Sequence, residues 1–109
     1  MITQRQIETY AADVVREFRP LKIVLFGSYA YGTPNEDSDV DLMVILPKDN
    51  SGRRNTERAL AIRKKIPKPF PLDLVVRDPE DTAWRLEEGD SFLKDVFTKG
   101  RLLYETPDS

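Results

Sequence analysis

The stretch that most constrains the fold is residues 22–46, which read KIVLFGSYAYGTPNEDSDVDLMVIL. Its apolar runs at residues 23–26 and 42–46 predict two buried strands, separated by a turn of small residues and a short polar loop. Asp39 and Asp41 lead into the second strand. Because side chains alternate along an extended strand, both carboxylates should point to the same side, with Cα atoms about 7 Å apart. The second strand therefore begins with two acids on one face.

Paired carboxylates at the head of an apolar strand predict a site for a divalent cation. Two neighbouring anions repel each other and lose solvation unless a cation lies between them, and hard cations prefer carboxylate oxygens. The alternative is that Asp37, Ser38 and Asp39 only form a turn on a solvated loop. The position of the pair, directly before a buried strand, favours the cation site.

The turn at Gly27 and Ser28 predicts a second part of the same site. Glycine lets the backbone approach a ligand closely, and a serine hydroxyl beside free backbone N–H groups can hold phosphate oxygens. A plain turn from strand to helix is the alternative. Beside a cation-binding pair, however, a phosphate-binding turn indicates that the ligand is a nucleoside triphosphate with Mg²⁺.

A third predicted strand, residues 71–77, carries another acid. Leu72 and Leu74 flank Asp73, and leaving a carboxylate unpaired within a strand is costly. Pairing with an arginine would be a structural explanation. The functional interpretation is that Asp73 lies next to Asp39 and Asp41 and completes a site for two metal ions.

The composition limits the chemistry. The chain has 109 residues, which predicts a single domain over residues 1–109, and its net charge of −2 does not favour direct binding to nucleic acid or to an anionic membrane. It has no cysteine and no histidine, so catalysis would depend on carboxylates, hydroxyls, Lys, Arg and bound metal. Without a membrane-spanning run or a signal-peptide pattern, the expected location is the cytoplasm.

Helices are predicted around these strands. Thr3 and Gln6 form a capping-box pattern at the start of the first, and Pro67 ends a second over residues 53–66. The basic residues 53–65 form either a solvated face or a surface for triphosphate, nucleic acid or an acidic partner. Two further helices are predicted at residues 79–88 and 91–99, followed by an edge strand at 101–105 and a tail at 106–109. Core positions are expected for Phe92, Val96 and Phe97, and Trp84 is expected to be a packing residue rather than a ligand.

The combined motifs resemble a known family. They read Gly27-Ser28-x-Ala30-x-Gly32 and then Ser38-Asp39-x-Asp41-Leu42, with Asp73 on a later strand. This pattern is similar to that of the minimal nucleotidyltransferases (MNT) of the DNA polymerase β superfamily. One position departs from it, since Tyr31 stands where members commonly carry Arg. The resemblance implies an α+β (α/β) fold with a mixed β-sheet and helices mainly on one face.

The resemblance also implies a mechanism and a partner. Asp39, Asp41 and Asp73 would hold two Mg²⁺ ions, Asp73 would accept the proton of an acceptor hydroxyl, and Gly27 and Ser28 would hold the β- and γ-phosphates of ATP. The small size implies that the acceptor docks from outside. In this family the expected acceptor is a HEPN-domain toxin, which the transferase would neutralise as an antitoxin by adding AMP to a hydroxyl side chain. The resemblance is also compatible with a hetero-oligomer of the two proteins.

Two alternatives remain open from the sequence. The domain could be a non-catalytic antitoxin or binding module that occludes its partner, for which Tyr31 is a hint. It could also be a transferase that modifies a small molecule or an RNA end, for which the basic residues 53–65 are the support. In a labelling experiment, each alternative predicts a result different from the other's and from that of a transferase that modifies its partner protein.

Overall fold

The computed structural model describes residues 1–107. Five helices and four strands follow one another along the chain. In order they are α1 (Gln4–Phe18), β1 (Lys22–Phe26), α2 (Ser28–Tyr31), β2 (Val40–Ile45), α3 (Asn55–Lys65), β3 (Leu72–Arg77), α4 (Pro79–Glu87), α5 (Ser91–Lys99) and β4 (Arg101–Glu105). The elements predicted from sequence are present, with ends that differ by at most two residues; of the predicted tail, residues 108–109 lie outside the described part.

The strands form one mixed sheet in the order β3-β2-β1-β4. β1 pairs antiparallel with both β2 and β4, whereas β3 runs parallel to β2. A parallel pair needs a crossover connection, and α3 provides it between β2 and β3. This topology confirms the mixed sheet and leaves β3 and β4 as its two edges.

The larger core lies between one face of the sheet and helices α1 and α3. Alternate strand residues face it, which is the period expected of a pleated strand. The main contributors are Ile23, Leu25, Val40, Leu42, Val44, Leu72, Leu74 and Val76 from the strands and Ile7, Tyr10, Ala11, Val14, Ile62 and Ile66 from the helices. This cluster holds the two longest helices, α1 and α3, against one face of the sheet.

The opposite face is covered only in part. There α5 packs Leu93 and Val96 against Val24, Phe26, Met43 and Ile45. Phe92 was expected in the core but is 45% exposed, because helix α5 turns Leu93 towards the sheet and leaves Phe92 at the rim, edge-on to Phe26. Trp84, expected to pack rather than to bind a ligand, belongs to neither apolar cluster. Its side chain is 58% exposed, because α4 turns Thr82 inward instead.

The helix ends follow the expected capping chemistry. Thr3 and Gln6 form the predicted reciprocal capping box, and Asp78 and Asp90 accept from the backbone N–H groups of Asp81 and Leu93. Each cap satisfies N–H groups that the first helical turn leaves unpaired. Within residues 1–107, none of these helices is both long and apolar enough to cross a membrane.

Helix α3 is not uniformly solvated. Arg58 is buried, and its Nη2 donates to the carbonyl oxygen of Pro47 at 2.6 Å. Pro47 lies just beyond β2, so this arginine ties the loop after the strand to the helix. Two exposed cations of this basic stretch form surface ion pairs, Lys65 with Glu17 and the N-cap residue Arg54 with Glu57.

Candidate active site

The register of the sheet brings two of the three acids together. Phe26 lies opposite Asp41 in the antiparallel pair, and Asp41 lies beside Asp73 in the parallel pair. Side chains of residues paired across neighbouring strands share a face. Phe26, Asp41 and Asp73 therefore form one row on the partly covered face of the sheet. Asp73 and Asp41, 32 residues apart in sequence, are therefore adjacent in the fold.

The row is strongly anionic. Burial, then the charges of Asp73 and Asp39, raise the pKa of Asp41 to about 6. Asp41 is adjacent to Asp73 across the parallel pair, whereas Asp39, on the preceding loop, affects Asp41 through its charge. Asp41 is half-buried, while Asp39 and Asp73 are exposed to solvent. The site is thus accessible from outside and repels further negative charge unless a cation is bound.

The turn after β1 closes against this row. Gly27 has φ +74°, and a Cβ atom placed on it would overlap the carboxylate of Asp41. Only glycine therefore fits where the turn meets the acid. Ala30 and Tyr31 donate their N–H groups to the Gly27 carbonyl and start α2. Within residues 1–107 no protein group hydrogen bonds to the Ser28 hydroxyl, which leaves it available to a ligand.

The acids fit Mg²⁺ by their chemistry, although they are not arranged as a finished metal site. In the described part of the chain, no three acidic side chains are close enough to hold an ion as they stand. All of the donors are hard carboxylate oxygens on strand ends or an adjoining loop, the type that Mg²⁺ prefers. Two of them, Asp41 and Asp73, are adjacent across the parallel pair of strands. Asp39 is exposed on the loop that leads into β2.

The arginine pairing considered for Asp73 is not observed. Among residues 1–107, no ion pair includes Asp73. The neighbouring Arg77 lies 3.9 Å from Asp81 instead. Asp73 is thus held by its strand and by Asp41, without a neutralising cation from the described protein.

Two features of the site region were not anticipated from the sequence. Phe92 of α5 packs edge-on against Phe26 at a ring distance of 5.6 Å, so an exposed aromatic ring borders the acidic row. Arg63 of α3 donates to the carbonyl oxygen of Leu72, directly before Asp73. The basic character of residues 53–65 was the available signal for Arg63, but its partner depends on how α3 packs against β3. Tyr31, at the end of α2, is 46% exposed.

Comparisons with known sequences agree with this geometry. The sequence model of the nucleotidyltransferase domain matches residues 7–103, which is most of the chain. A protein of Methanocaldococcus jannaschii named "Putative protein adenylyltransferase MJ1305" is 31% identical over 88 residues. That alignment covers 78% of this chain but 58% of the relative, so the chain spans less than two thirds of its length.

Solved structures give the same fold. A crystal structure titled as a "putative nucleotidyltransferase" from Sulfolobus solfataricus superposes with a TM-score of 0.62 at 17% identity, covering 93% of this chain and 78% of that one. A toxin-antitoxin crystallised with AMP-PNP gives a TM-score of 0.55 at 25% identity, with coverages of 93% and 75%. At 17% identity the first likeness shows the fold alone.

Proposed function

This chain belongs to the nucleotidyltransferase domain family, and from that premise we propose that it transfers AMP from ATP to a hydroxyl group of a partner protein. The observation that carries the proposal is the row of Asp41 and Asp73 against the Gly27 turn. We further propose that the partner is a HEPN-domain toxin and that this chain is its antitoxin, acting in the cytoplasm. The names of an adenylyltransferase relative and a toxin-antitoxin neighbour support this choice.

Each site residue has a proposed role. Asp39, Asp41 and Asp73 would hold two Mg²⁺ ions, which when bound neutralise the triphosphate and lower the pKa of the acceptor hydroxyl. Gly27 and Ser28 would hold the β- and γ-phosphates, with the unpaired Ser28 hydroxyl as a donor. The Gly27 backbone can approach a phosphate because it has no Cβ.

The transfer itself is an in-line displacement at the α-phosphorus. The acceptor oxygen forms a new P–O bond as the bond between the α-phosphorus and the bridging oxygen breaks, and pyrophosphate leaves. Asp73 accepts the hydroxyl proton, which suits a chain without histidine. Positioning and charge neutralisation supply most of the rate enhancement in such a reaction.

A labelling experiment tests this function. The protein is incubated with ATP labelled at the α-phosphate, Mg²⁺ and the co-encoded neighbouring protein. The proposal is supported if the neighbouring protein becomes labelled, if Asp39→Asn abolishes this labelling, and if Asp37→Asn does not change it. Asp37 is the matched control because it is an exposed acid two residues away on the same loop.

Other outcomes of this experiment identify the alternatives. Full neutralisation of the partner by the Asp39→Asn variant would favour an antitoxin that acts by occlusion. Label on RNA or a small molecule only would favour a transferase with a different acceptor.

Ligand binding can also be measured without a partner. We expect Mg²⁺ with ATP to raise the melting temperature, because the ligand binds only the folded state. Asp39→Asn should reduce this shift strongly and Asp37→Asn should not. No shift at millimolar Mg²⁺ with any nucleoside triphosphate would contradict the enzymatic function.

A further inference from the structure

A hydrogen bond links helix α3 to the strand that carries the third acid. Nη2 of the half-buried Arg63 donates to the carbonyl oxygen of Leu72 at 3.2 Å. Leu72 is the first residue of β3 and directly precedes Asp73. The contact therefore lies one residue from a side chain proposed to act in transfer.

The Leu72 carbonyl points to the free edge of the sheet. The backbone N–H groups of Val40 and Leu46 donate to the carbonyls of Pro71 and Arg77. The backbone groups of the odd-numbered residues of β3 therefore point towards β2. Backbone groups alternate in direction along a strand, which turns the carbonyl of Leu72 outward. Since β3 is an edge strand, Arg63 supplies the donor that a further strand would otherwise provide.

The rest of the environment holds the arginine in place. Arg63 lies where α1, α3 and β3 meet, near Tyr10, whose hydroxyl donates to the Ile66 carbonyl at 3.1 Å. Among residues 1–107 no carboxylate forms an ion pair with Arg63. A half-buried guanidinium without a carboxylate partner therefore directs its hydrogen bond to the start of β3.

We propose that Arg63 is a positioning residue that fixes the start of β3 and so holds Asp73 beside Asp41. This inference rests on the proposed transferase function for its catalytic consequence. Without the bond, the first residues of β3 would fray from the edge, and Asp73 would lose its fixed distance to Asp41. The acceptor step would then slow, whereas nucleotide binding through Asp39 and the Gly27 turn would persist.

Helix α3 offers a matched control for this role. Arg58 makes the same type of bond, to the Pro47 carbonyl, but beyond the opposite end of β2 from Asp41. Arg58→Met should therefore destabilise the fold without changing kcat in the folded fraction. Lys64→Met changes an exposed cation next to Arg63 and controls for charge.

The test uses Arg63→Met and Arg63→Lys in the full chain with ATP, Mg²⁺ and the partner protein. We expect Arg63→Met to lower kcat about 10- to 100-fold, because small displacements of a catalytic group have effects of that size. The KM for ATP should not change, and Arg63→Lys should restore part of the rate, since lysine retains one donor. Wild-type kcat in Arg63→Met, or an equal loss in Arg58→Met, would overturn the proposal.

Hydrogen exchange separates this inference from the proposed function. The Asp73 amide, which faces β2, should exchange faster in Arg63→Met than in wild type and Lys64→Met, whether or not the protein is active. If wild type transfers no label but exchange at β3 responds as described, the function fails and the positioning role stands. Unchanged exchange at the Asp73 amide would refute the positioning role directly.

Discussion

The two faces of β2 differ although they belong to the same six residues. On one face Val40, Leu42 and Val44 are fully buried beneath α1 and α3. On the other, α5 covers Met43 and Ile45, and the covering ends before Asp41. The comparison shows how a strand can carry an acid without a neutralising partner. Burial of one face fixes the position of β2, so that Asp41, at the uncovered end of the other face, is held beside Asp73.

Leu42→Ala should give the largest effect on stability. Removing a fully buried leucine costs the transfer free energy and leaves a cavity, about 2–5 kcal/mol in total. Asp41→Asn, one residue away on the other face, should leave the metal-free protein at least as stable as wild type. Urea denaturation of both variants measures the difference. Equal losses in the two variants would mean that the faces do not differ in this way.

Gly27→Ala tests the contact between the turn and the open face. An added methyl group would overlap the Asp41 carboxylate, at a backbone φ of +74° that alanine tolerates poorly. We expect a loss of about 1–3 kcal/mol in unfolding free energy. Gly52→Ala is the control, because Gly52 also has φ +74° but open space around it. If the two variants lose the same stability, the contact with Asp41 is unimportant.

The pH dependence of stability tests the repulsion on the open face. The pKa of Asp41 is about 6 in the folded protein against an ordinary 3.8, so the folded state holds this proton more tightly. Its contribution to stability is full below about pH 4 and is lost as pH rises through 6. Because Asp41 is partly solvated, the loss should be only about 1 kcal/mol.

This pH effect is measured as a difference between two proteins. In metal-free buffer, the unfolding free energy of wild type should fall relative to that of Asp41→Asn between pH 4 and pH 7. A constant difference over this range would mean that the repulsion is absent.

Trp84→Gln should have the smallest effect. The ring is 58% exposed on α4 and is not part of either apolar cluster. Exposed substitutions of this kind change stability by less than about 0.5 kcal/mol. A melting curve that shifts as much as that of Leu42→Ala would show that the outer surface of α4 is more important than its exposure indicates.

The sequence predicted those parts of the fold that depend on neighbours in the chain. Alternation separated Asp73 from Leu72 and Leu74, and capping residues located the helix starts. The shared side of Asp39 and Asp41 stays a prediction. The sequence did not predict which residues of α5 face the sheet. Residues 92, 93, 96 and 97 are all apolar, so the helical period alone does not distinguish Phe92 from Leu93. The packing of α5 against β1 determines which of the two residues faces the sheet.

The features of the candidate site also fall into those that local sequence predicts and those that depend on long-range packing. The Gly27 turn and the Asp39–Asp41 pair lie within one hairpin and could be recognised locally. The adjacency of Asp73 and Asp41 depends on a parallel register between strands joined by a helix. The cost of an unpaired acid within a strand suggested this adjacency, but an arginine partner for Asp73 was an equally local explanation. The contacts of Arg58 and Arg63 with backbone carbonyls were not predictable, because basic residues on a helix give no information on which loops they reach.

The parallel pairing of β2 with β3 has a consequence for biosynthesis. The β1–β2 hairpin closes by contacts that are short in sequence, but the pairing of Asp41 with Asp73 waits until α3 and the residues after it are available. Long-range pairing of this kind forms later than local structure. A nascent chain that ends near residue 70 would therefore carry the glycine turn and two of the acids but not the third. The pair of Asp41 and Asp73 would form only once β3 has been synthesised and has joined β2.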